Sequence, residues 1–387
     1  MVALFHDKSA CNGCHSCYNI CPQKAINMVA DEEGFLYPQI DSKKCVDCNL
    51  CRSVCSIYEK KDILNKNRPE AYAAVALDNT IQQKSSSGGI FSLIAGYILR
   101  QNGVVIGARL ADDFQSVFHY AVEKPEDMEL LRGSKYVQSE IGGIYRQVEQ
   151  YLKQGRPVYF SGTPCQVDGL YRYLRTDYPE LYTQDLICHG VPSPLAWRKY
   201  IQEKQKLYGA TVTSAFFRSK RNGWNDYAML LQFDNGQEYC DTLRKDAFLS
   251  GFLSNNFLRP SCYNCRFKQV ERAADITLAD FWGVQKFYPE LSDDCGTSLV
   301  LIHSEKGQAL LNTIQSEAKI DPVDLDLALS HNSSAFRSVK APAVRQKFMK
   351  QLPNKNFHKL VKKVKSRSIY KRAGRMVKRI LRKLSRK

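Results

Sequence analysis

Cys11-Asn12-Gly13-Cys14-His15-Ser16-Cys17-Tyr18-Asn19-Ile20-Cys21-Pro22 and Cys45-Val46-Asp47-Cys48-Asn49-Leu50-Cys51-Arg52-Ser53-Val54-Cys55 space their thiols identically, x2, x2 and then x3. Three cysteines at x2 spacing can wrap one corner of an iron–sulfur cubane. The fourth begins a helical turn pointing the other way, so it ligates the neighbouring cluster. The spacing predicts two [4Fe–4S] clusters with crossed ligands. Cys11, Cys14, Cys17 and Cys55 hold one; Cys45, Cys48, Cys51 and Cys21 hold the other. Pro22 suits the start of a helix, and Ser56 takes that place in the second run.

Paired CxxC motifs also bind zinc tetrahedrally. A zinc site needs only four ligands, however, and two four-cysteine runs of this spacing fit it poorly. Runs of this form serve bacterial two-cluster ferredoxins. An α+β ferredoxin-like module is therefore expected over residues 1–60, carrying electrons one at a time.

The chain has 387 residues and 14 cysteines, of which Cys165, Cys188, Cys240, Cys262, Cys265 and Cys295 lie outside the two runs. Clustered cysteines signal metal or redox chemistry where thiols stay reduced. The first residues are short of a leader's apolar core, and no apolar run reaches the ~18 residues of a spanning helix. The expected location is the cytoplasm.

The formal charge of +17 is local: 18 of the 56 Lys and Arg, and no Asp or Glu, fall in residues 344–387. The remaining 38 basic residues face 39 acidic ones, so the body is neutral. Residues 341–387 read as a basic amphipathic helical tail, with a stripe at Ile369, Ala373, Met376, Val377, Ile380, Leu381 and Leu384. Such a helix suits an anionic membrane surface, here the inner membrane face. No base-reading motif supports nucleic acid.

Residues 61–70 are polar and contain a proline, as a linker does. Across 71–340 strand-like and helix-like segments alternate. Strands are expected over 71–77, 104–110, 157–160, 181–188, 275–278 and 298–303. Helices are expected over 89–100, 144–152, 167–174, 195–207 and 305–316. Alternating Tyr227, Met229, Leu231 and Phe233, with an Asn235-Gly236 turn, read as a hairpin. The body is thus an α/β domain with a mixed sheet.

Cys165 follows a strand and the turn Ser161-Gly162-Thr163-Pro164, and Cys188 ends another strand. Cys262-x2-Cys265 lies in a loop. Strand ends line the functional crevice of α/β sheets, so these four thiols are candidates for a third metal site. The competing reading is a set of buried structural cysteines. Ser85-Ser86-Ser87-Gly88-Gly89 directly precedes a helix, where bare amides favour an anion such as a phosphate. Gly133-Ser134-Lys135-Tyr136-Val137-Gln138-Ser139 is a second polar loop, with Lys135 placed for a phosphate or flavin. His189, beside Cys188, is a candidate proton donor.

In order, the chain carries the dicluster module, Ser-Ser-Gly-Gly, Gly-Ser-Lys-Tyr-Val-Gln-Ser, Gly-Thr-Pro-Cys-Gln, Cys-His-Gly-Val-Pro-Ser, Ser-Cys-Tyr-Asn-Cys and Ala-Asp-Ile-Thr-Leu-Ala-Asp-Phe-Trp-Gly. This series, over roughly residues 8 to 320, resembles the beta-subunit family of coenzyme F420 hydrogenase and dehydrogenase. That family also includes flavin- and iron–sulfur-dependent reductases such as the chlorophyll-cycle hydroxymethyl reductase. The resemblance implies FAD or another flavin in the body, touching Ser87, Gly88, Gly89, Lys135, Tyr136, Gln138, Ser139 and Thr163. It also implies a third [4Fe–4S] cluster at Cys165, Cys188, Cys262 and Cys265.

The expected function is an iron–sulfur flavoprotein oxidoreductase that couples one-electron transfer to two-electron chemistry. Its partner is a ferredoxin-like protein or an F420- or nicotinamide-type donor, and no motif names its small-molecule substrate. The other reading is an electron-transfer subunit without its own substrate site, docked on a catalytic partner.

Overall fold

The computed structural model describes residues 2–59, 63–65 and 68–365. The apolar stripe read between Ile369 and Leu384 lies outside the described residues.

The strands are β1 Val2–Ala3, β2 Ile26–Ala30, β3 Leu36–Ile40, β4 Glu70–Ala76, β5 Val104–Leu110, β6 Val117–Val122, β7 Val158–Ser161, β8 Leu181–Leu186, β9 Val212–Ser219, β10 Ala228–Phe233, β11 Glu238–Thr242, β12 Ile276–Asp280, β13 Ser298–Ile302 and β14 Ala318–Pro322. Eight of them form one sheet in the order β14-β4-β13-β12-β8-β7-β5-β6. β5, β7, β8 and β12 run parallel, and antiparallel neighbours flank them on both sides. The mixed sheet expected from the sequence is present.

Period-two alternation sorts side chains onto the two faces of this sheet. Val104 and Ile106 of β5, with Val158 and Phe160 of β7, pack under the helices Ile144–Lys153 and Pro164–Leu174. Val105 and Tyr159 point to the other face, under Ile90–Arg100 and Glu305–Asn312. Each fully buried aliphatic or aromatic side chain contributes roughly 1.5–3 kcal/mol. Both faces are covered, as parallel strands require.

β9, β10 and β11 form a separate antiparallel sheet. Its neighbour β9 gives no period-two signal because its buried positions, Val212, Phe217 and Arg218, do not alternate. This sheet packs with the helices Pro194–Tyr208 and Ala247–Leu253 and with residues 345–361. Phe348, Met349, Leu352, Phe357, Leu360 and Val361 are buried there. Charge counting placed them in a tail, but their spacing builds a core face, with His358, Lys359, Lys362 and Lys363 exposed on the other side.

The N-terminal segment forms a small sheet, β1-β3-β2, with the short helices Ser16–Ile20 and Leu50–Ser53. It lies on the helix Pro164–Leu174. There the Ser16 hydroxyl donates to the Gly169 carbonyl at 2.7 Å. A Cβ at Gly169 would stand 2.8 Å from Cys14 Cβ, so glycine allows this close approach.

Candidate functional site

Both cysteine runs bend their backbone alike. Gly13 and Asp47, at matching places, have φ of 72° and 51°, and His15 and Asn49 have 64° and 59°. Each left-handed residue reverses the chain between successive thiols, and the second one opens a short helix. Gly adopts this conformation freely; Asp and Asn tolerate it through local hydrogen bonds.

The result is a pair of hollows. One is lined by Cys11, Cys14, Cys17 and Cys55, with apolar cover from Leu4, Phe5, Met28 and Ile57. The other is lined by Cys21, Cys45, Cys48 and Cys51. Among the described residues no three His, Cys, Asp or Glu side chains converge closely enough for a single metal ion. The thiols surround a space, which suits a cubane better than one zinc ion. Burial pushes the Cys14 thiol up to about 12 and Cys17 further. Four thiolates in such a place would need a compensating positive charge.

The first hollow is tied to the body by Arg259, which is fully buried. Its Nε donates to the Cys11 carbonyl at 2.9 Å and its Nη2 to the Leu36 carbonyl at 3.0 Å. Its Nη1 donates to Gln138 Oε1 at 2.8 Å, and Gln138 Nε2 donates to the Asn12 carbonyl at 3.1 Å. The guanidinium also lies over the Tyr37 ring, 4.2 Å from its centroid. Arg345 makes a second tie, clasping both Glu33 carboxylate oxygens at 2.9 and 2.5 Å.

A third hollow, of about 420 Å³, gathers Cys165, Cys188, Cys262 and Cys265. Cys165 stands in the first turn of the helix after β7, and Cys188 lies just past β8, the neighbouring parallel strand. Cys262 and Cys265 sit on and behind the single 3-10 turn Pro260–Asn264. Burial pushes the Cys262 thiol up to about 12 and raises Cys165 and Cys188 as well. Arg266, Lys268 and Arg272 line the same hollow. Lys268 Nζ donates to the carbonyls of Cys188 and Ser334. Arg272 Nη1 is 3.5 Å from Asp185 Oδ2. The first and third hollows share Asn12, Ser56 and Ile57 as a common wall. His189 is not in that wall: its Nε2 meets Asn255 Oδ1 at 2.7 Å and its ring stands edge-on to Phe252.

The two polar loops meet each other, since Ser134 N–H donates to Ser86 Oγ at 2.8 Å. Around them stand residues to which the sequence reading gave no role. Arg218 pairs with Asp280 at 2.6 Å and donates to the Ser86 carbonyl and the Tyr136 hydroxyl. Its guanidinium lies 4.0 Å from the Tyr227 centroid and 5.2 Å from that of Trp282. Lys220 Nζ donates to the carbonyls of Gln82 and Ser87 at 2.6 and 3.0 Å. Trp224 and Trp282 stack with centroids 4.9 Å apart. The buried Nε of Arg218 has no hydrogen-bond partner among the described residues. The sequence shows two cations, Arg218 and Lys220, at a strand end, but only the fold brings Arg218 to Asp280 and Trp282.

Other loop residues serve the fold directly. Lys135 Nζ donates to the carbonyls of Leu130, Leu131 and Arg132, and burial beside Arg109 pulls its ammonium down to about 7. Gly88 N–H donates to Ser298 Oγ, and the Ser87 hydroxyl to the Thr297 carbonyl. Gly89 opens the helix Ile90–Arg100 at φ 93°. Ser139 Oγ meets His119 Nδ1, and Thr163 forms a capping box with Gln166.

Residues 71–144 match the family described as coenzyme F420 hydrogenase/dehydrogenase, beta subunit N-term, and residues 155–327 match its C-terminal counterpart. Residues 10–57 match a 4Fe-4S dicluster domain. The chain is 21% identical over 335 residues to a coenzyme F420-dependent sulfite reductase of Methanocaldococcus jannaschii, covering 83% of this chain and 48% of that protein. A polyferredoxin-like protein of the same organism is 29% identical over 86 residues, 19% of this chain and 51% of its own length. A ferredoxin from it is 31% identical over 75 residues, 17% of this chain and 96% of its own length. The chain spans about half the length of the first two of these relatives. A chain of the F420-reducing [NiFe] hydrogenase complex from Methanosarcina barkeri superposes with a TM-score of 0.49 at 20% identity, covering 69% of this chain and 88% of that one.

Proposed function

Because the chain belongs to the coenzyme F420 hydrogenase/dehydrogenase beta-subunit family, we propose that it is an iron–sulfur oxidoreductase joining one-electron traffic at its cysteine hollows to two-electron chemistry with F420 or a flavin such as FAD. The observation that carries the reading is the grouping of twelve cysteines into three hollows, four to each, two of them with crossed membership.

When bound, F420 or a flavin exchanges two electrons as hydride, and [4Fe–4S] clusters pass them singly. The chain's own residues do the holding and ordering. Cys11, Cys14, Cys17 and Cys55, and likewise Cys21, Cys45, Cys48 and Cys51, would ligate the N-terminal clusters. Cys165, Cys188, Cys262 and Cys265 would ligate the third, with Lys268 and Arg272 offsetting its negative charge. The cluster of Ser86, Ser87, Ser134, Tyr136, Arg218, Lys220 and Trp282 would hold the organic cofactor. Stacked indoles suit a flat ring, and the two cations suit an anionic one. The apolar cover of the first hollow excludes water from the electron path.

The other reading is an electron-transfer subunit docked on a separate catalytic chain. In either case the basic C-terminal residues would set the protein against an anionic membrane surface.

The test is anaerobic purification with iron, sulfide and flavin counted per chain, followed by assay of F420 reduction with a reduced viologen. Roughly twelve irons and turnover by the isolated chain are expected. Iron without any F420 or flavin turnover would favour the docked subunit, and no iron at all would end both readings.

A further inference from the structure

Arg259 is an arginine with no solvent and no carboxylate. It is fully buried, and among the described residues no Asp or Glu pairs with it. Its hydrogen bonds go to two carbonyls and one amide oxygen. A buried cation with only neutral acceptors is costly unless a negative charge lies nearby. Nη2, which donates to the Leu36 carbonyl, also lies 3.8 Å from the Cys11 sulfur.

The second hollow has the opposite surroundings. Cys45 Sγ lies 3.6 Å from Asp47 Oδ1. Cys48 is exposed, and Val46 is 62% exposed. One site is therefore buried against a cation and the other is open beside a carboxylate.

Reduction adds one negative charge to a cluster. A nearby cation stabilises that charge and raises the potential; a nearby carboxylate does the reverse. Burial leaves Arg259 unscreened, whereas Asp47 faces water and acts more weakly.

We propose that Arg259 and Asp47 grade the two N-terminal sites, Arg259 raising the potential of the Cys11/Cys14/Cys17/Cys55 site and Asp47 lowering that of the Cys21/Cys45/Cys48/Cys51 site. Single electrons then run inward from the open site. This rests on reading both hollows as [4Fe–4S] sites. In the step, the open site is oxidised by one electron and the buried site reduced by one. A reduced iron–sulfur carrier protein refills the open site, and no proton moves. Arg259 also accepts, through its carbonyl, the Cys262 N–H at 2.9 Å. It is thus a positioning residue between the buried site and the third hollow.

The test is a potentiometric titration of the full chain followed by EPR, with iron counted in every variant. Signals are assigned by the one lost in Cys48→Ser. In the native sequence the buried site's midpoint should lie positive of the open site's. Arg259→Gln should move the buried site's midpoint negative at unchanged iron, and Arg259→Lys should restore most of the shift. Asp47→Asn should move the open site's midpoint positive, by less. The reverse order in the native sequence overturns the proposal, even if Arg259→Gln fails to fold. So does an unmoved midpoint in an iron-replete Arg259→Gln chain. A native chain without iron in these hollows would instead sink the cluster reading beneath it.

Discussion

Cys55 lies in the hollow that Cys11 opens, while Cys21, just past the helix that carries Cys17, is turned into the neighbouring hollow. This crossing makes pairs of substitutions informative. Cys11→Ser and Cys55→Ser act on one site, so combining them should cost no more iron than either alone, about four per chain. Cys11→Ser with Cys21→Ser should cost about eight. Iron and sulfide analysis of the double variants checks this. The reverse pattern, about eight lost in the first combination and about four in the second, would mean the fourth cysteines do not cross.

Gly88 is held by backbone on two sides. A Cβ there would stand 2.2 Å from the Ala74 carbonyl oxygen of β4 and 2.9 Å from the Ser298 nitrogen of β13. No side chain can rotate away to relieve this. Gly88→Ala should therefore cost about 3 kcal/mol of stability whether or not a cofactor is bound. Thermal unfolding without cofactor measures it. An unchanged midpoint would mean that β4 and β13 separate easily and that the glycine is needed for a ligand.

His119 supplies a pH dependence of definite sign. Its Nε2 is 3.0 Å from the Ser161 carbonyl, which can only accept, so Nε2 carries the proton. Nδ1 then accepts from the Ser139 hydroxyl at 2.6 Å. Burial pushes this imidazole down to about 4 from its ordinary 6.5. The unfolded chain takes up the proton first as pH falls. The stability from the neutral ring is complete above about 6.5 and is lost as pH drops through about 4, in all about 3 kcal/mol. Unfolding free energies of the native chain and His119→Gln, compared between pH 7 and 4, should converge toward low pH. Parallel curves would show that folding leaves the ring's proton affinity unchanged.

The cysteine sites were legible because their chemistry is written in local spacing. Runs such as Cys11–Cys21 fix the positions of their own thiols with left-handed turns at Gly13 and His15. The mixed sheet was legible for a similar reason, since β5 and β7 alternate cleanly between two buried faces. Arg259 was not legible: its partners Cys11 and Leu36 lie more than 200 residues away in the chain. Arg218 likewise acquires meaning only when β9 brings it to Asp280 and Ser86. The Ser-Gly loop was recognised as special backbone, but at Gly88 the immediate cause is the close approach of two strands.

Residues 345–361 show where counting charge misleads and periodicity does not. Phe357 is fully buried, and its ring lies within 6.1 Å of Phe257, Tyr200 and Phe248, centroid to centroid. Its N–H donates to Glu203 Oε1 at 2.5 Å, tying the segment to the helix Pro194–Tyr208. Lys359 and Lys362 on the same turns are exposed. Phe357→Ala removes a large ring from a closed core and should cost about 3–5 kcal/mol. Lys359→Ala and Lys362→Ala should stay within about 0.5 kcal/mol of the native chain. Denaturant midpoints of the three variants check the contrast. If Phe357→Ala costs as little as the lysine variants, the segment is a detachable tail; if the expected gap appears, the body of the protein extends to at least Val361.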